Sequence, residues 1–485
     1  MKYSKHNQQT KHNKHSEHNK HSEQIKHSKH NKKKTHHACN TLSSILQEMK
    51  ELERFLILWF GQSFSQLSTA MTSFAISIWV FQRTNNALAF SMSALAFLLP
   101  DLLLGLFIGP IIDRWSKKKV IIATDVLSGI CTLSFFVLLR SGTLEVWHVI
   151  GINFLVGILS TFQSPANEVA LTSLVPKKHY VRASGLKAFS NGTSSILAPV
   201  LAALFMNLWG IEQLLLLDVG IMAFACMTIT LFIRIPSSIT EGTVLRIKIY
   251  IKEIKEGLRV VKQSKLLVKL LLLFAFVNLV SGITYFNLLT PMLLLRSGDN
   301  LTTVSLVNSA MGVGIMIGGL STVIFISNRV KSKIQIVLIS TMLSFVFGDL
   351  LLVVTSNPIV WIIAGFGSSV FIPAITSNSN YFWRTLIPTQ MQGRAFALKN
   401  AIGSGMIALG MLTGGLMADY IFEPLFREGY LSIPFLSNSI DGVGNQGLGM
   451  AFLFLLTGII GAVICIIGLT KKNMQAEEER ISQRR

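Results

Sequence analysis

The sequence predicts an all-α polytopic membrane protein, with twelve transmembrane helices arranged as two six-helix repeats. Three observations predict this. Of the 485 residues, 50% are apolar and only 14% are charged, and mean hydropathy is +0.52. Soluble domains typically carry charge on about a quarter of their residues. The apolar residues also come in runs: 214–233 contains one charge, Asp218, and 448–469 contains none. Runs of about 20 such residues cross a bilayer as helices, because lipid offers the backbone no other hydrogen-bond partner. Third, the chain repeats itself. Residues 105–119 read GLFIGPIIDRWSKKK and residues 319–333 read GLSTVIFISNRVKSK. At an offset of 214, Gly105, Leu106, Lys117 and Lys119 meet Gly319, Leu320, Lys331 and Lys333. At an offset of 212, Pro176, Arg182, Leu186 and Lys187 meet Pro388, Arg394, Leu398 and Lys399.

The elements follow in order. Residues 1–50 are a polar leader in which HNKHSE occurs twice, at 12–17 and 18–23. Such a segment cannot bury enough apolar area to offset its ordering entropy, so it is expected to be disordered. Its histidines and lysines suit a metal or anionic lipid in type, but nothing fixes a coordination geometry, and no metal site is assigned. No cleavable signal peptide is expected, because the first apolar run begins at Phe55. Six spans follow at 55–81, 88–112, 120–140, 147–169, 184–208 and 211–234, within a first half of 51–235. A linker occupies 236–265. In it Ile247, Ile251, Ile254, Leu258 and Val261 recur at three and four residues, opposite Lys248, Lys252, Lys255, Arg259 and Lys262. That pattern reads as an amphipathic helix on the membrane surface. The second half, 266–470, holds spans at 267–294, 303–327, 334–354, 358–381, 395–420 and 448–469, before a short tail at 471–485.

Charge orients the bundle. Cations cluster in the turns after the second, fourth, eighth and tenth spans, through Arg114, Lys117, Lys118 and Lys119, Lys177 and Lys178, Arg329 and Lys331, and Arg384 and Arg394. By the positive-inside rule both termini are cytoplasmic, in a plasma-membrane protein. The formal charge of +20 lies in these turns and the leader, not on one soluble face, which argues against nucleic-acid binding. Cys39, Cys131, Cys226 and Cys465 form no CxxC pair, so no disulfide framework or thiol chemistry is indicated. There is no HExxH, no Walker loop and no Ser/His/Asp grouping outside the spans, so neither an enzyme nor direct ATP drive is expected. Two repeated halves are a common transporter plan.

Over about 52–470 the chain resembles the major facilitator superfamily. Its signature is a glycine-rich end of the second helix followed by Asp-Arg and a basic cluster. Gly105, Gly109, Asp113, Arg114, Lys117, Lys118 and Lys119 match it, with Ser116 where a glycine is usual. Trp59, Phe60, Gly61 and Gln62, then Phe162 to Ala166, Ala198 and Pro199, and Gln392 to Arg394, are most similar to the macrolide-efflux branch of drug:proton antiporters. The resemblance implies a gate in which the Asp113 carboxylate latches onto the N-terminus of the eleventh helix, a contact worth roughly 0.3–1 kcal/mol. The alternative is a solvated turn whose cations only set topology. In the second copy Ser327 and Asn328 replace Asp-Arg, so an equivalent latch lacks its acid.

Small-residue ladders occur at Gly105/Gly109, Gly314/Gly318, Gly410/Gly414 and Ser194/Ala198/Ala202. They let helices approach closely, and the resemblance implies that they line the contact between halves. Asp101, Asp125 and Asp218 lie inside spans, where a charge costs roughly 2.5–3.5 kcal/mol and is rarely idle. Burial disfavours the charged form of a carboxyl, which a proton carrier exploits. Asp101 is the preferred carrier by depth. Asp125 is expected to pair with Arg114 or Arg182, and Glu168 is read as solvated. The resemblance also implies a central cavity lined by the first, fourth, seventh and tenth spans. Its polar and aromatic candidates are Gln62, Gln66, Asn153, Asn278, Tyr285 and Phe371. The function expected is proton-driven export of a lipophilic, macrolide-like molecule by a monomer, without a cofactor beyond the proton gradient. Alternatives are export of a siderophore, other metabolite or lysolipid, or a membrane sensor acting through the leader.

Overall fold

A computed structural model describes residues 53–176, 180–233, 256, 258–322, 332–430, 446–470 and 478. The leader, most of the linker, Ser327 and Asn328, and the tail apart from Glu478 lie outside the described residues, as do the side chains of Asp113, Arg114 and Arg182. Every regular element described is helical. Twelve helices are long and apolar enough to cross a membrane. They are α1 (Glu53–Thr84), α2 (Ala87–Arg114), α3 (Lys117–Arg140), α4 (Val146–Leu174), α5 (Tyr180–Trp209), α6 (Ile211–Phe232), α7 (Lys265–Ser297), α8 (Leu301–Ser321), α9 (Lys333–Val354), α10 (Pro358–Leu386), α11 (Thr389–Met417) and α12 (Leu448–Thr470). Their number and order are those predicted from hydropathy.

Local chemistry sets the helix ends. Asn86, Asn300, Ser332 and Asn357 each accept a backbone amide from two or three residues on, closing the starts of α2, α8, α9 and α10. Such a cap contributes about 1 kcal/mol. α7 stops at Gly298, whose φ of 65° is the left-handed position glycine favours. The start of α9 also takes a carboxylate from the far end of the chain. Glu478 accepts from Ser332 Oγ at 2.6 Å and from the amides of Lys333 and Ile334 at 2.7 and 3.3 Å. A negative charge at a helix N-terminus is favourable, so the second basic turn borders an acid that its own sequence lacks. In the second half π turns interrupt the helical ladder at Thr284–Leu288, Phe345–Leu350 and Ala418–Phe422.

The cores show how the halves meet. Away from the basic turns, one cluster joins Ile78, Phe81, Ala87 and Phe90 of the first half to Leu288, Met292, Val304, Trp361 and Phe454 of the second. At the basic end there are two clusters. One holds Leu58, Ile108, Ile121 and Ile229 of the first half. The other holds Leu267, Ile334, Trp383 and Leu398 of the second. The halves are therefore bound together at one end and have separate cores at the other.

The glycine ladders of α8 and α11 do not form this contact as expected. A Cβ on Gly314 or Gly318 would strike Phe366 O or Val370 O of α10, at 2.7 and 2.0 Å. On Gly410 it would strike Leu279 O of α7, at 2.2 Å, and on Gly414 Ile283 Cα, at 2.9 Å. Both seams lie within the second half. Helix periodicity explains this: positions four apart share one face, and that face is already committed to a neighbour in the same bundle. Residues off that face make the contact between halves. Gly415 lies against Leu88 and Ser91 of α2, and Gly312 against Ile196 of α5.

Candidate functional site

A cavity of about 540 Å³ opens among α1, α2, α4 and α5, within the size range of small-molecule sites. α1 runs through its wall and is held on both sides. Toward α5, Trp59 Nε1 donates to Leu186 O at 3.1 Å, the Ser63 and Ser190 hydroxyls bond at 2.7 Å, and Gln66 Nε2 donates to Asn191 Oδ1 at 3.0 Å. Toward α3 and α4, Gln62 Nε2 donates to Asp125 Oδ2 at 3.1 Å. Gln62 Oε1 in turn accepts from Asn167 Nδ2 at 2.8 Å. Gln163 Nε2 donates to the other oxygen of Asp125.

Gln62, Gln163 and Asn167 line the cavity. Asp125 stands behind them, 1% exposed. Two amides face its two oxygens, the pattern an ionised carboxylate requires. A proton on Asp125 would turn one acceptor into a donor, and the amide opposite would have to present its oxygen instead. If Gln62 turned, its bond from Asn167 would break. Asn167 Oδ1 is buried and has no partner among the described residues. One proton can therefore rewrite the donor and acceptor pattern of the wall. The expected partners of Asp125, Arg114 and Arg182, have side chains outside the described residues; among the described residues the two amides are its partners.

The other residues singled out from the sequence are dispersed. Asp101 is exposed, one turn beyond Phe97 of the cavity wall, with Oδ1 3.0 Å from where a Cβ on Gly105 would stand. Asp218 is 1% exposed and accepts from Ser68 at 2.6 Å and Thr132 at 3.0 Å, which ties α6 to α1 and α3. Asn153 Nδ2 bonds Ser93, and Asn278 Nδ2 bonds Phe274 O within its own helix at 2.7 Å. Tyr285 donates to Asp349 at 3.0 Å in the second half, and Phe371 sits at a break in α10 beside Phe347. Of the six cavity candidates, Gln62 and Gln66 line this cavity and the other four lie elsewhere. In the signature turn, Lys117 is buried, Lys119 is exposed, and Lys118 Nζ closes the end of α6 through Thr230 O and Ile233 O, at 3.0 and 2.7 Å. Gly109, Asp113 and Arg114 belong to the last turns of α2. Glu168, read as solvated, is exposed and forms an ion pair with Lys187.

The repeat reaches into these contacts. At an offset of 212 from Lys187 and Glu168 stand Lys399 and Asn380, and Lys399 Nζ donates to Asn380 Oδ1 at 2.6 Å. The same offset carries Gln62 to Phe274 and Gln163 to Ile375, which line a small apolar pocket beside Lys399. The Lys399 ammonium lies 4.6 Å from the Phe274 ring centroid and 5.5 Å from that of Trp383, within cation–π range. One framework is thus built twice, polar in the first half and aromatic in the second.

Comparison with known proteins agrees with this architecture. The chain is 26% identical over 376 residues to macrolide efflux protein A of Streptococcus pyogenes, spanning 76% of this chain and 90% of that protein. It is 23% identical over 441 residues to the uncharacterized MFS-type transporter YkuC of Bacillus subtilis, spanning 88% and 95%. The fold is similar to the crystal structure of nucleoside transporter NupG, with a TM-score of 0.65 at 10% identity, over 87% of this chain and 98% of that one. The model of the Major Facilitator Superfamily matches residues 58–411. The chain belongs to the Major Facilitator Superfamily, as a multi-pass membrane transporter similar to the macrolide efflux proteins and not an enzyme.

Proposed function

We propose that this transporter exports a lipophilic, macrolide-like small molecule in exchange for protons, by alternating access. The observation that carries the proposal is Asp125. It is a buried acid whose two amide partners are also the wall of the cavity. Proton and substrate therefore act on the same side chains. Similarity to macrolide efflux proteins supports the substrate class. So does the pairing of a polar wall in the first half with an aromatic counterpart in the second, which suits a molecule with hydroxyl and hydrocarbon faces. The basic turns, by the positive-inside rule, support a cytoplasmic position for both termini. The separate cores at that end fit a cavity open to the cytoplasm.

In the proposed cycle, substrate enters while Asp125 is ionised and Gln62 and Gln163 are held toward it. After the bundle rocks, a proton from outside neutralises Asp125, the amides turn, and substrate is released. The gradient supplies about 2.3 kcal/mol per charge per 100 mV. The test is efflux of a preloaded macrolide with and without an uncoupler. Asp125→Asn is expected to reach the membrane and lose uncoupler-sensitive efflux by roughly 5–150-fold, the range of typical coupling energies. Unchanged efflux there, with loss in Asp101→Asn, would move the carrier role to Asp101.

A further inference from the structure

We infer that Asp419 is the positioning residue that holds the transporter closed at the end opposite the basic turns, by completing the N-terminus of α2 from the other half. The inference rests on the alternating-access reading and adds a gate residue to it. The first four amides of a helix have no partner inside it. In α2 all four have one, but from two sources. Asn86 N donates to Thr84 Oγ1 at 3.2 Å and Ala89 N to Asn86 Oδ1 at 2.7 Å, both within the first half. Ala87 N and Leu88 N donate across the interface to the two oxygens of Asp419, at 3.1 and 2.6 Å.

Neighbouring groups fix this geometry. Asp419 lies in the π turn Ala418–Phe422 that continues α11. Four residues earlier, Gly415 leaves room for the approach: a Cβ there would stand 2.7 Å from Ser91 Oγ and 3.0 Å from Leu88 Cα. Ser91 Oγ also reaches Asn287 Oδ1 of α7, and Asn287 Nδ2 donates to Met411 O at 2.9 Å. Among the described residues Asp419 has no basic partner, so its charge is met by the amide end of α2. Such a contact is strong enough to bias a conformation and weak enough to break each cycle. When the halves part, all four groups can turn to water.

The test uses the full-length protein with native cysteines replaced by serine and spin labels at two exposed positions near that end, Arg83→Cys and Arg427→Cys. Pulsed electron paramagnetic resonance then reads the separation of the halves without substrate or gradient. The parent protein is expected to favour the short separation. Asp419→Ala is expected to move the population toward the long one on the order of 10-fold. Asp419→Asn, which keeps one neutral acceptor, is expected to fall between. Glu212→Gln removes an acid whose partner among the described residues is Arg140 of the first half, and is expected to leave the distribution unchanged. Two populations that Asp419→Ala does not shift, or that Glu212→Gln shifts as much, would overturn the latch alone. A single separation in every variant would overturn alternating access together with it.

Discussion

Asp125 shows what a buried acid gains from its neighbours. Its depth in the third span is legible in the sequence. Its partners are not, because Gln62 and Gln163 reach it across 63 and 38 residues of chain, and only the packed register of three helices makes them meet. Gln62 is the shared member, donating to Asp125 and accepting from Asn167. Gln62→Ala is therefore expected to leave a buried Asp125 oxygen without its donor, costing about 1–3 kcal/mol, and to free Asn167 Nδ2 at the cavity wall. Thermal unfolding in detergent would show the loss, and efflux would fall with it. Asp349 and Asp419 are among the acids that the sequence analysis does not single out. Asp349, 1% exposed, interrupts an apolar run just as Asp218 does, so the signal was present. Asp419 sits where a span was expected to end, and only the facing end of α2 gives it meaning.

Helices pair by faces that a spacing rule reveals only in part. GxxxG marks a surface for close approach, but it does not name the neighbour. Gly410 and Gly414 seat α11 on α7, while the adjacent Gly415 seats it on α2. Gly410→Ala should push a methyl to 2.2 Å from Leu279 O and force the two backbones apart, at about 1–3 kcal/mol. Gly405 on the same helix has nothing within 4 Å of its would-be Cβ, so Gly405→Ala should be neutral. Melting both variants side by side checks the claim: equal stability would mean that the seam is not where the geometry puts it. The caps at Asn86, Asn300, Ser332 and Asn357 were open to the sequence, since each side-chain acceptor precedes an apolar run. The acid that Glu478 brings to α9 was not, because it arrives from outside the span.

The duplicated architecture was the most legible feature. Twelve apolar runs and two basic turns at nearly one period give the number and order of helices before any contact is known. What the repeat concealed was divergence. Lys187 with Glu168 and Lys399 with Asn380 occupy matched places, but the second pair has lost its acid, and the glutamines around Asp125 have become Phe274 and Ile375. In the proposed cycle the proton therefore acts on the first half, while the second presents aromatic surface around Lys399. The central claim is that substrate and proton share the Asp125 network. It is tested most directly by adding a macrolide to the purified transporter in weak buffer and following proton release. At a pH acid enough for Asp125 to start protonated, the parent protein is expected to release protons on binding and Asp125→Asn to bind without release; equal release from both would contradict the account.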